Sequence, residues 1–243
     1  MRLLVSVRSA SEAEAAVAGG ADIVDAKEPS RGALGPVDPA VLRRIAASLP
    51  PGMPVSAALG DFRDPAMATA AIARVPRLAA RMGPLYLKLG FAGLGEEGAV
   101  DRVVTAAVAA AAARGDDARV VAVAYADHEE ACTVAPEVVA AVAARRCAAG
   151  ALVDTWTKDG RDLLDWMPGP RLATWVGLVH EAGMLAGIAG SLGLLSLPTV
   201  LASEADLLGV RGSVCQGGRG GTVRADRVRA LRRALAGAGA VHC

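Results

Sequence analysis

The chain has 26 basic side chains, and three of them are lysine: Lys27, Lys88 and Lys158. Arginine carries charge as well as lysine does, but only an amine can attack a carbonyl and form an imine. Three lysines kept in an arginine-rich chain are therefore candidates for amine chemistry. Lys27 lies in the stretch Ala21 to Gly35 (ADIVDAKEPSRGALG), which reads as a buried strand running into a loop marked by Pro29, Gly32 and Gly35. A strand has period two, so Asp25 and Lys27 point to one face, roughly 7 Å apart. The plainer reading of that pair is an ion pair on a solvated rim. A free lysine has a pKa of about 10.4, so only about one in 2,500 is neutral at pH 7. Neighbouring cations and partial desolvation favour the neutral amine, whereas an adjacent aspartate favours the charged one. A lysine that stays charged can bind a phosphate or polarise an oxygen. Asp25 and Asp154 are candidate acid/base groups, which imine formation and aldol steps require.

Positioning these groups takes eight strand–helix units. Strands are expected at Leu3 to Val7, around Ile23 and Val24, at Val55 to Gly60, Leu85 to Gly90, Arg119 to Tyr125, Ala151 to Trp156, Met184 to Ala189 and Leu207 to Arg211. The first helix is capped by Ser9 or Ser11 and stops at Gly19-Gly20. Asp38-Pro39 opens the second, which runs to about Ser48, and Asp64-Pro65 opens the third, which runs to about Met82 with a kink or break at Pro76. Further helices are expected at Glu96 to Arg114, from Pro136 to about Ala148, at Arg171 to Ala182, at Leu197 to Ser203 and at Asp226 to Leu235, with a short extra turn at Arg161 to Met167. Strict alternation of this kind predicts an α/β fold with a parallel sheet, and eight units predict a closed (β/α)8 TIM barrel. An open doubly wound sheet would show a glycine fingerprint after its first strand. The corresponding loop here, VRSASEAE, has no glycine. The 243 residues suit one such barrel, read as one domain over 1–243.

All three lysines fall at or just after the C-terminal ends of even-numbered strands, the end at which barrels build their sites. With Asp25 and Asp154 they can converge on one level. GIAGSLG follows the seventh strand, and GVRGSVCQGGRGG begins in the eighth. The loops after these two strands commonly bind phosphate. Gly190, Ser191, Gly212, Gly217 and Gly218 would let backbone N–H groups approach the oxygens, and Arg211 or Arg219 would add charge. The alternative is flexible loops with solvated arginines. Asp61 and His128 are further candidates for the mouth. Tyr86 reads as barrel filling, Cys215 equally as a buried or a reactive thiol, and His180 and His242 as structural or solvated. The four cysteines show no metal spacing, so neither a metal nor another cofactor is expected. A net charge of +1 without a basic run gives no sign of nucleic-acid binding, and no apolar run is long enough to span a bilayer. The absence of a leader pattern and the reading of the cysteines as reduced thiols point to the cytoplasm. The apolar outer helices leave room for a homo-oligomer.

DIVDAKEPSRGALG, VSAALGD, YLKLG, AYAD, LVDTWTKDG, AGSL and GVRGSVCQGG together resemble the (5-formylfuran-3-yl)methyl phosphate synthase family over the length of the chain. One departure is Glu28-Pro29-Ser30, where Asn-Pro-Pro is more often expected. The resemblance implies a barrel with a Schiff-base lysine at Lys27, partnered by Asp25, Lys88, Asp154 and Lys158. It implies a lyase that condenses two glyceraldehyde 3-phosphate molecules to the furan phosphate, a precursor of methanofuran in one-carbon metabolism. The other readings are a class I aldolase of another sugar phosphate and a non-catalytic barrel that binds a phosphorylated metabolite.

Overall fold

The computed structural model describes residues 1–79 and 82–238. His242 and Cys243 therefore lie outside the described residues. Eight parallel strands, each paired with the next, close into a barrel: β1 (Arg2–Val7), β2 (Ile23–Ala26), β3 (Val55–Asp61), β4 (Leu85–Gly90), β5 (Ala118–Tyr125), β6 (Gly150–Asp154), β7 (Leu185–Ile188) and β8 (Leu207–Val210). The seam is the pairing of Arg2 with Leu207 through Val5 with Val210. The main helices are α1 (Ala10–Gly19), α2 (Pro39–Ala47), α3 (Pro65–Arg74), α4 (Glu97–Ala112), α5 (Pro136–Arg145), α6 (Leu163–Trp166), α7 (Gly169–Glu181), α8 (Leu197–Ala202) and α9 (Ala225–Ala238). After β8 the chain forms a small antiparallel hairpin, β9 (Cys215–Gln216) with β10 (Thr222–Val223). This is the predicted (β/α)8 barrel. Among the described residues, no helix is long and apolar enough to cross a membrane.

The strand pattern sorts side chains into two cores. In β4, Leu85, Leu87 and Leu89 pack outward against the helices, while Tyr86 joins an inner cluster with Leu4, Ile23, Ala58, Val121, Val123, Tyr125 and Leu152. Period two then sends Lys88 inward as well. Most boundaries shift from expectation by one to three residues, and one by more. Helix α3 ends at Arg74, well short of Met82, because Val75 already takes an extended backbone ahead of Pro76. Strand β6 ends at Asp154 rather than Trp156, because the next three N–H groups go to the Asp154 and Asp127 carboxylates instead of a strand.

Ser9 caps α1 by accepting from the Glu12 N–H. Asp38 precedes α2 without capping it through its side chain, which takes the Arg31 guanidinium instead. Glu12, in the first turn of α1, is buried and paired with Arg211 just past β8 at 2.9 Å. Arg211 also donates to the Ser6, Arg219 and Gly221 carbonyls. Breaking one partner out of a buried ion pair leaves the other charge uncompensated. Glu12→Ala is therefore expected to cost about 3 kcal/mol in urea unfolding. An unchanged unfolding midpoint would show that the three carbonyls alone hold Arg211.

Candidate active site

Two buried carboxylates organise the C-terminal mouth of the barrel. Asp25, in β2, is fully buried and accepts from Lys88 of β4 at 2.8 Å and from the Ser6 hydroxyl of β1 at 2.8 Å, both through Oδ2. Asp154, at the end of β6, holds two lysines. Lys158 Nζ lies 2.9 Å from Oδ1, and Lys27 Nζ lies 3.6 Å from Oδ2. Lys158 also donates to the Thr155 hydroxyl at 2.9 Å, and the Thr155 N–H donates to Asp154 Oδ1 at 2.8 Å. Lys27 follows β2 directly, and its N–H continues the ladder to the Val7 carbonyl.

All three lysines and both aspartates meet at one end of the barrel, but not in the pairing suggested by neighbours along a strand. Asp25 pairs with Lys88, and Lys27 pairs with Asp154. Strand periodicity gives a shared face but says nothing about which residue of another strand lies closer. Ser6 and Thr155 were missed in the sequence. Ser6 was findable, because in LLVSV it is the one polar residue and is in phase with inward-facing Leu4.

Burial is the largest influence on Lys27 and favours its neutral form. Asp154 opposes this, Lys88 and Lys158 add to it, and Asp25 opposes it. The balance lowers the Lys27 pKa from 10.5 to about 8. At pH 7 about one Lys27 amine in ten is then neutral, against about one in 3,000 at the ordinary value. For Asp25 burial pushes upward, but Lys88, Lys27 and the hydrogen bonds from Lys88 and Ser6 outweigh it and keep the group ionised. Asp154 is likewise held well below the usual carboxylate range, since Lys158, Lys27 and the Thr155 N–H overcome the effect of burial. A weakly basic amine thus sits near two ionised carboxylates.

A cleft of about 210 Å³, open to solvent, lies over this cluster. Lys27, Lys88, Asp154 and Lys158 line one side, and Gly190, Ser191, Gly212, Ser213 and Arg219 line the β7–β8 side. Gly190 has a left-handed backbone (φ +111°), and a Cβ there would crowd Thr155 beside the lysine pair. The Ser191 and Leu192 N–H groups, next to it, donate no hydrogen bond among the described residues. Two expectations for the phosphate loop need correction. Arg211 borders the cleft, but its guanidinium is taken up by Glu12 and three carbonyls, which makes it a brace. Gly217 and Gly218 do not line the cleft. Their left-handed backbones turn the loop that carries Arg219 across to the Pro29 and Gly32 carbonyls.

The weaker candidates fall outside the cluster. Asp61 accepts from the Tyr125 hydroxyl at 2.8 Å and from the Ala92 N–H, and it lines a separate cleft with Arg63 and Trp156. Gly90 leaves room for that pair, since a Cβ there would strike both polar groups. His128 approaches the Ala126 carbonyl, and His180 pairs with Asp206. Cys215 is buried, and burial raises its thiol pKa, as for an inert core cysteine.

The profile of the 4-HFC-P synthase family matches residues 3–232. The chain belongs to this family. It is 35% identical over 231 residues to the (5-formylfuran-3-yl)methyl phosphate synthase of Methanosarcina barkeri, covering 95% of this chain and 97% of that one. It is 38% identical to the enzyme of the same name from Methanopyrus kandleri, covering 97% and 99%. Among solved structures it resembles phosphoribosyl anthranilate isomerase from Thermus thermophilus (TM-score 0.60, 20% identity, covering 98% of this chain and 100% of that one). It also resembles a 3-hexulose-6-phosphate synthase (TM-score 0.58, 17% identity, covering 97% and 100%). At these identities the structural likenesses speak to the barrel alone.

The electrostatic balance at Lys27 can be tested directly. Asp154→Asn removes the main group that favours its charged form, so the midpoint for Lys27 should fall below about 8. Trace acetylation across the neutral to alkaline range, with each lysine quantified by mass spectrometry, reads that midpoint. A rise would mean that Asp154 acts on Lys27 chiefly by holding Lys158.

Proposed function

We propose that this chain is a (5-formylfuran-3-yl)methyl phosphate synthase, a lyase that works through a Schiff base on Lys27. The observation that carries the reading is an amine with its pKa lowered to about 8, seated beside ionised Asp154 at the mouth of a barrel of this family. Neutral Lys27 attacks the aldehyde carbon of one glyceraldehyde 3-phosphate, and water leaves as the imine forms. Loss of the adjacent C–H proton gives an enamine, whose carbon attacks the aldehyde of the second molecule. Elimination of one phosphate, ring closure and dehydration follow, and hydrolysis of the imine frees Lys27. The net change is two triose phosphates to one six-carbon furan aldehyde phosphate, one inorganic phosphate and two waters.

The roles divide according to charge. Asp154, 3.6 Å from Lys27 Nζ, and Asp25, hydrogen-bonded to Lys88, are the acid/base groups. Lys88 and Lys158, each held by a carboxylate, present positive charge to phosphate or to a developing oxyanion. On the opposite wall, the N–H groups of Ser191 and Leu192 suit a phosphate, with Gly190 and Gly212 allowing close approach and Arg219 adding charge. Arg219 keeps that role although two of its N–H groups are engaged by carbonyls. A product of this kind would supply the furan of methanofuran, placing the reaction in one-carbon metabolism.

The deciding experiment is incubation with glyceraldehyde 3-phosphate alone, with assay of inorganic phosphate and mass spectrometry of the products. Equal amounts of phosphate and furan aldehyde phosphate are expected. A six-carbon bisphosphate without phosphate release would make the protein an aldolase, and no turnover would leave only binding. Lys27→Arg keeps the charge but removes the nucleophile, and is expected to lower kcat by at least about 1,000-fold. Near-normal turnover in that variant would exclude Lys27 as the imine former. The acid limb of kcat/KM is expected to rise with pH toward about 8, because the reacting form of Lys27 is the deprotonated one.

A further inference from the structure

Asp127 is almost fully buried, two residues past β5, and neither binds a lysine nor borders the cleft lined by the lysines. Both of its oxygens are used on backbone. Oδ1 accepts from the Trp156 N–H at 2.7 Å, and Oδ2 accepts from the Thr157 N–H at 2.7 Å. The regular β5–β6 register ends where Tyr125 meets Asp154, followed by one more bond from the Ala126 N–H to the Asp154 carbonyl. Beyond that point the sheet offers the chain no further partner. The Asp127 carboxylate takes over and fixes two successive peptides of the turn that follows Asp154. The next residue is Lys158, whose amine returns to Asp154 and Thr155.

We propose that Asp127 is a positioning residue that holds Lys158 on Asp154, and that it thereby sets how much of the Asp154 charge is left to Lys27. The functional meaning rests on Lys27 being the reacting amine, but the placement itself does not. Lys27 and Lys158 share one carboxylate, one oxygen each. While Lys158 is held there, Asp154 is partly neutralised and a second cation stands close to Lys27. Both effects favour the neutral Lys27 amine. The remaining groups facing Lys27 are Asp25 of its own strand and Lys88 of β4, with Arg211 and Arg219 along the same cleft from the β8 side. Those facing Asp127 include Tyr125 of β5 and Arg161 of the β6–α6 loop. None of these others ties Asp127 to Lys27.

The sign of the effect separates this role from simple electrostatics. Removing the Asp127 charge, with nothing moving, takes a negative charge from the neighbourhood and lowers the Lys27 midpoint. Releasing Lys158 takes a positive charge away and leaves Asp154 to Lys27, which raises it. In Asp127→Asn the side chain keeps its shape, but one of the two N–H groups meets an NH2 group instead of an acceptor. Trace acetylation of Lys27 against pH is expected to show its midpoint rising from about 8 to about 9. Asp127→Ser, with one hydroxyl acceptor, gives the same direction and serves if the first variant does not fold. Lys158→Met should raise the midpoint similarly, and the double variant no higher than Lys158→Met alone, because both changes act on the same contact. An unmoved or lowered midpoint in both Asp127 variants, with the fold intact by circular dichroism, overturns the proposal. Because the assay reads the amine and not turnover, it can succeed or fail independently of the synthase reading.

Discussion

The structure turns on one shared charge. Asp154 is buried and ionised, and it is in contact with two ammonium-bearing side chains at once. A buried carboxylate is tolerable only when it is paired and hydrogen-bonded, and here the pairing is uneven. Lys158 has the short bond and a second acceptor in Thr155, while Lys27 has the longer contact. Burial favours the neutral form of Lys27, and this longer contact offsets it only in part. In the parallel pair, Lys88 adds positive charge near Lys27 without competing for Asp154, and Asp25 offsets part of it. A barrel interior suits this arrangement because its walls are apolar below the mouth, so that each charge is felt strongly by its neighbours.

The fold was legible because every unit carried its own punctuation. Proline opens α2, α3 and α5, glycine closes α1, and short apolar strands recur between them. The overlong reading of α3 arose because Pro76 was taken as a kink within a helix, whereas the backbone leaves the helix before the proline. At the site, the rarity of lysine picked out Lys27, Lys88 and Lys158, and their places at or just past strand C-terminal ends put them at the mouth. The cross-pairing of lysines and aspartates was not legible, since it depends on the stagger between strands that only the closed barrel fixes.

Arginine was the harder residue type. Arg211 and Arg219 stand in similar glycine-rich surroundings, yet one is a buried brace and the other reaches over the mouth. Their difference lies in Glu12, a residue 199 positions from Arg211 that no local pattern connects to it. Asp127 was equally hidden. An aspartate after a strand reads as a mouth residue, and only the two peptide N–H groups it accepts show that it shapes a neighbouring loop.

The Glu12–Arg211 pair also bears on how the chain reaches this state. It joins the first helix to the end of the last strand, directly across the seam where β1 meets β8. In any partly folded barrel lacking its eighth strand, Glu12 would keep only its local partner Arg8, and Ser6 would keep a carbonyl without its guanidinium donor. Neither group has its full set of partners until the other end of the chain arrives. The stability of the first unit is thus deferred to closure of the ring, which favours a single concerted transition over stepwise accumulation of half-barrels.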